Sequence, residues 1–90
     1  MAILVDGAHW PWRGRMWAHL ISDTSIEELQ EFAARLDLPP RAFQGDHYDV
    51  TDELRDCAIA EGAVPVDSRT IVRALRAAGL RQRPAPRHQP

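Results

Sequence analysis

Four side chains in this sequence, His19, Asp23, His47 and Asp49, are of the types that hold a divalent cation and put it to use. Carboxylates are hard ligands that suit Mg²⁺ or Mn²⁺, and neutral imidazole extends the choice to Zn²⁺, Fe²⁺ or Ni²⁺. A cation bound there lowers the pKa of a coordinated water to about 7, which makes ester or phosphoester hydrolysis accessible at neutral pH. These four are therefore both the candidate catalytic residues and the candidate metal ligands, with Asp6 near them. No H-x-x-x-H or H-E-x-x-H spacing occurs, so the site has to be assembled from separate segments. The competing reading is structural, because aspartate at a turn or a helix start is an ordinary cap.

A second concentration of chemistry lies in "HWPWRGRMWAHLISD", residues 9–23, which contains every tryptophan of the chain. Packing is the expected role for at least two of Trp10, Trp12 and Trp17, since large aromatics dominate core energetics. The alternative is recognition. Arg13 and Arg15 can grip phosphate bidentately while an indole stacks on a base or sugar. Asp6, Trp10, Trp12, Arg13, Arg15, Trp17 and Tyr48 are accordingly the candidate ligand-binding residues, for a small phosphorylated or otherwise anionic ligand. A non-catalytic module, with exposed tryptophans and arginines forming a hot spot for a protein or nucleic acid, is the second reading.

The elements that must position these groups can be read from apolar spacing and caps. "AILVD", residues 2–6, is a short apolar run closed by Gly7 and predicts a strand. Pro11, Gly7 and Gly14 break any period through residues 7–17, which predicts a loop. "AHLIS", residues 18–22, resumes apolar character before Asp23-Thr24-Ser25, where Ser25 or Thr24 with an acid three positions on fits a capping box. Ile26, Leu29, Phe32, Ala33 and Leu36 then mark a helix over about 25–37. Further elements are a strand at 47–50, a helix at about 52–62 capped by Thr51, and a strand at 63–67. A helix at 69–78, capped by Ser68, carries Arg69, Arg73 and Arg76 on its polar face.

Such alternation predicts an α/β fold: a small single-domain sandwich with a short, largely parallel four-stranded sheet and three helices over residues 1–80. Asp6, Asp23, Asp49 and Asp67 would then share the rim at the carboxyl ends of the strands, where open parallel sheets bind ligands. Residues 81–90, "RQRPAPRHQP", hold three prolines and no apolar stripe, which predicts a disordered basic tail.

Composition bounds the rest. A chain of 90 residues with 44% hydrophobic and 27% charged residues suits one ordinary globular domain. No apolar run reaches the roughly 18 residues of a membrane span, and the start lacks a signal-peptide pattern, so a soluble cytoplasmic protein without membrane contact is expected. Cys57 is the single cysteine, which excludes an internal disulfide and a multi-cysteine zinc site, and its helical setting predicts a buried, inert thiol. All 11 basic residues are arginine, excluding lysine Schiff-base chemistry and a P-loop lysine. The net charge of −2 disfavours nucleic acid as a partner, although the arginines after Ser68 stand without any acid among them.

The run "WPWRGRMWAHLISD", the leucine-rich helix after it, "FQGDHYDV" and "GAVPVDSRTIVRAL" together resemble the family termed domain of unknown function 4031, over about residues 2–80. That resemblance implies a small bacterial domain and carries over no catalytic residue.

Overall fold

The computed structural model describes residues 2–8 and 10–81. Its elements are β1 (Ile3–Val5), β2 (Trp10–Trp12), β3 (Arg15–Ser22), α1 (Ile26–Arg35), β4 (Tyr48–Thr51), α2 (Asp52–Ala60), β5 (Val64–Pro65) and α3 (Ser68–Ala77). An α/β fold with three helices is what the sequence predicts, but the sheet departs from expectation. Among the described residues it has five strands instead of four and is mixed: only β1 and β5 pair in parallel, while β3 pairs antiparallel with β1, β2 and β4.

The difference starts within the loop expected at 7–17, where residues 10–17 form a hairpin instead. Arg13 (φ 51°) and Gly14 (φ 74°) both take left-handed backbone between Trp12 and its partner Arg15. A two-residue turn with both central residues at positive φ matches the twist of the strands it joins. Pro11 fits β2 because β2 pairs only with β3 among the described residues, leaving an edge on which a missing N–H costs nothing. The hairpin returns the chain beside β1 without a helix between them, so β1 and β3 meet antiparallel.

β3 is the organising strand. Leu20 stands opposite both Val5 and Tyr48, and Trp17 opposite both Trp10 and Thr51. β4 therefore takes one edge of β3, and β1 followed by β2 runs along the other. On β3 only residues 18–19 separate the partners of Val5 and Trp10, so the ladder is interrupted between β1 and β2. Asp6 stays attached at that interruption, its N–H donating to the carbonyl of His19 at 3.2 Å.

Strand alternation sends the side chains to two unlike faces. Ile3, Val5, Ala18, Leu20, Tyr48 and Val50 form one face and are buried beneath Leu29, Phe32 and Ala33 of α1 and Ala58 of α2. On the other, Leu4 and Ile21 are covered by Ile71 and Leu75 of α3. Complete burial of Leu20, Ile21, Leu29 and Leu75 stabilises the sandwich by about 1.5–3 kcal/mol per side chain. Beyond Ile21 the second face continues through His19 and Trp17, with Asp49 opposite His19, and polar groups take over from the α3 contact.

Helix ends follow the sequence with one exchange. Ser25 accepts from the N–H of Glu28 at the start of α1, and Thr51 from that of Leu54 at the start of α2. At α3 the cap is Asp67, accepting from the N–H of Thr70, in place of the expected Ser68. Because β3 runs against β1 and β5, Asp23 lies at the opposite end of the sheet from Asp6 and Asp67, so the expected common rim does not form. The tryptophans are not core residues either: Trp10 and Trp17 are half-buried, Trp12 is 52% exposed, and aliphatic side chains fill the interior. Cys57 is exposed, not buried. Among the described residues no helix is long and apolar enough to cross a membrane. Of the expected tail, residues 82–90 lie outside the described residues, as does His9, while Arg81 is held in place.

Candidate metal centre

The β3–β4 register sets His19 directly opposite Asp49, and His47, two residues earlier than Asp49, shares its side of the strand. The two imidazole rings meet edge to face, with centroids 5.1 Å apart. One ligand atom from each of His19, His47 and Asp49 lies within 4.8 Å of the other two, and all three residues are half-buried. The cluster sits on the sheet face, in the middle of β3, and not at the strand ends.

Each histidine is anchored through Nδ1. That of His19 lies 2.7 Å from Oδ2 of Asp6, and that of His47 lies 2.7 Å from Oδ1 of Asp46. Nε2 is then the nitrogen left for other work, and on His47 it lies 3.2 Å from Oδ1 of Asp49. A carboxylate on one ring nitrogen fixes the tautomer and orientation of the other, which is the usual support of a metal-bound histidine.

The supporting carboxylates are themselves held. Asp6 has no exposed surface; its Oδ1 accepts the backbone N–H of His19 at 2.7 Å and its Oδ2 accepts the Ser68 hydroxyl at 2.9 Å. Its carbonyl accepts Nε–H of Arg55 at 2.7 Å, tying α2 to the end of β1. Asp46 receives a two-pronged contact from Arg81, at 2.8 and 3.1 Å. α3 thus reaches both supports, through its first residue and through a residue just past its end.

The electrostatics follow these contacts. Burial acts to raise the pKa of Asp6, but hydrogen bonds from the His19 ring and backbone and from Ser68 outweigh it and hold the carboxyl below its usual range. Asp46 goes the same way, with burial outweighed by Arg81 and His47. The bond to Asp6 raises His19 above the ordinary histidine value against the opposing effect of burial, with the charge of Asp49 adding to the rise.

Of the residues singled out from the sequence, Asp6, His19, His47 and Asp49 come together. Trp10 joins them, its ring centroid 4.4 Å from that of His19. Asp23 does not: its Oδ1 accepts the N–H of Ala2 and the Thr24 hydroxyl, each at 2.8 Å, at the far end of the strand. Tyr48 is also excluded, buried on the opposite face with its ring 5.2 Å from that of Phe43. Trp17 donates Nε1–H to the carbonyl of Trp12 at 2.8 Å, and the Arg13 guanidinium lies 4.7 Å over the Trp12 ring. Arg15 turns instead to the first turn of α2, 3.3 Å from both Asp52 and Glu53. Sequence reasoning missed Asp46, Ser68 and Arg81. Only Asp46, adjacent to His47 in "GDHYD", carried a local signal.

Two imidazoles and one carboxylate suit Zn²⁺, Fe²⁺ or Ni²⁺, and three protein ligands leave positions open for water and substrate, as catalytic zinc sites do. The family model described as protein of unknown function (DUF4031) covers residues 3–78. No curated protein and no solved structure matches the chain.

Proposed function

The chain belongs to the DUF4031 family, and from the chemistry of its site we propose that the domain binds a divalent transition metal through His19, His47 and Asp49 and uses it in hydrolysis. What carries this reading is the pair of carboxylate-anchored histidines: Asp6 and Asp46 each occupy an Nδ1, which leaves the Nε2 of each ring to the cluster that Asp49 completes. A purely structural histidine needs one partner and no convergence with a second. A metal held there supplies a water ionised near neutral pH. His19 and His47 bind as neutral imidazoles, Asp6 and Asp46 keep their Nδ1 protons in place, and Asp49 contributes the negative charge that favours a dication.

The test is metal titration of protein stripped with a chelator, using Zn²⁺, Mn²⁺, Fe²⁺ and Ni²⁺ in turn. One equivalent should bind per chain and, at about 100 times the dissociation constant, stabilise the fold by roughly 2.7 kcal/mol. His19→Ala and His47→Ala should abolish this, and Asp23→Ala should not. Unchanged melting with all four metals overturns the proposal.

A non-catalytic interaction module is the second reading. Trp12 and Met16, 52% and 37% exposed on the hairpin, favour it. It requires a partner that binds equally well in the presence of chelator and is lost with Trp12→Ala.

A further inference from the structure

Beside the metal centre, between the β2–β3 hairpin and the segment before β4, lies a groove of about 420 Å³. We infer that this groove binds a nucleoside monophosphate, with the base against Trp12 and Trp17 and the phosphate against Arg13 and Arg41.

The lining supplies two different chemistries. Trp12 and Trp17, with centroids 5.5 Å apart and planes inclined at 57°, form an aromatic wall on which a flat ring can stack. Trp12 is half exposed although an aliphatic core was available to bury it; its indole is covered on one side by the guanidinium of Arg13, while the Trp17 indole is fixed by its N–H to the Trp12 carbonyl. An arginine stacked on an indole keeps its N–H edge free for phosphate, in the planar fork geometry that lysine lacks.

Charge sets this groove apart from the other side of the same hairpin. Arg15, on the same hairpin, is neutralised by Asp52 and Glu53. Arg13 and Arg41 face the groove and form no ion pair among the described residues. Among the described residues Asp49 is the one carboxylate that lines the groove, and it is also a ligand in the proposed metal centre. With a cation on Asp49, the charges lining the groove favour an anion.

Size and shape select within that class. Inorganic phosphate would leave the indole wall unused, and a nucleoside would leave the guanidinium groups unused. The groove's volume falls in the range of small-molecule sites rather than of an extended strand-binding track. The inference deepens the metal-centre reading by naming a ligand, and it rests on that reading only for the help expected from the metal.

Tryptophan fluorescence and calorimetry on the full chain, with and without Zn²⁺, test it, using 5′-AMP, adenosine, inorganic phosphate and a single-stranded tetranucleotide as probes. AMP should bind saturably and about ten-fold or more tighter than phosphate or adenosine, because charge-assisted hydrogen bonds and stacking then act together. Zn²⁺ should tighten AMP binding, and AMP should tighten Zn²⁺ binding by the same factor. Arg41→Ala and Trp12→Ala, both at exposed positions, should each weaken AMP about ten-fold while Zn²⁺ titrates as in the parent. AMP binding no tighter than phosphate, AMP binding indifferent to both substitutions, or a tetranucleotide preferred over AMP would each overturn the assignment. Zn²⁺ binding to the unsubstituted chain reports the metal centre separately: Zn²⁺ bound with no saturable AMP binding defeats the groove alone, and AMP bound with no Zn²⁺ binding defeats the metal centre alone.

Discussion

Nδ1 of His19 lies 2.7 Å from Oδ2 of Asp6, a carboxylate with no exposed surface that also accepts the His19 backbone N–H and the Ser68 hydroxyl. Asp6 thus joins β1, β3 and the start of α3, and it decides which nitrogen of His19 carries the proton. In Asp6→Asn one oxygen is replaced by an amide that donates, so the bond to Nδ1 survives only if His19 switches tautomer and puts its proton on Nε2. Metal affinity should fall about 10–100-fold. Stability should fall by about 1–3 kcal/mol, the cost of an unsatisfied buried polar group. Zn²⁺ titration and urea unfolding check the two effects, and the affinity of Asp23→Asn should match the parent.

The same pair sets a pH dependence in chelator. Asp6 has a lowered pKa when folded, so its contribution is present above about pH 4 and is lost as pH falls through the lowered value. His19 has a raised pKa, so its contribution is complete below about pH 6.5 and is lost as pH rises through the raised value. Both statements describe one ion pair and count once. Metal-free stability should therefore be greatest between about pH 4 and 6.5. Asp46, Asp23 and Asp67 are also lowered and add to the acid limb, which makes the alkaline limb the informative one. His19→Gln should flatten that limb in urea midpoints measured from pH 5 to pH 9. Metal binding should move the other way and strengthen as pH rises, since it requires neutral His19.

Arg81 holds Asp46 with two hydrogen bonds, and Asp46 holds His47. Removing the guanidinium leaves both carboxylate and imidazole in place but free to turn. Arg81→Ala should weaken Zn²⁺ binding by about ten-fold, less than Asp46→Ala, which removes the direct partner. Arg81→Lys should recover only part of the loss, because an ammonium cannot reproduce a two-pronged contact. Calorimetric titration of the three variants, with far-UV circular dichroism as a check on folding, gives the order.

The helices were legible because their signals are local. Ser25 and Thr51 are the caps the sequence names, and the stripe through Leu29, Phe32 and Ala33 is buried as its spacing requires. The sheet was not legible, since strand direction depends on pairing between distant segments. The pairing here turned on one hairpin whose turn residues are Arg13-Gly14 instead of the more usual Asn-Gly. His19, His47 and Asp49 were identifiable by type and by the shared side of His47 and Asp49. They met through the antiparallel β3–β4 register, and Asp6 joined them through the antiparallel β1–β3 pairing, not through a parallel rim. Arg81 was unreadable because its partner lies 35 residues away and its own neighbours carry no apolar pattern.

Arg13 occupies a backbone conformation that does not favour it, and that gives the last prediction. At φ 51° an arginine carries the strain of the left-handed region, about 1–2 kcal/mol, which asparagine relieves in part. The exposed contact of its guanidinium with Trp12 returns only about 0.5–1 kcal/mol. Arg13→Asn should therefore leave stability unchanged or raise it by up to about 1 kcal/mol while weakening AMP binding. Gly14→Ala should cost about 1 kcal/mol from conformation alone, because a methyl there meets no atom within 4 Å. A turn that folds better with asparagine but binds worse would mean that the arginine is kept for its side chain. If Arg13→Asn instead lowers stability by more than about 1 kcal/mol, the cation–indole contact is a structural support, and Arg13 loses its standing as a ligand-binding residue.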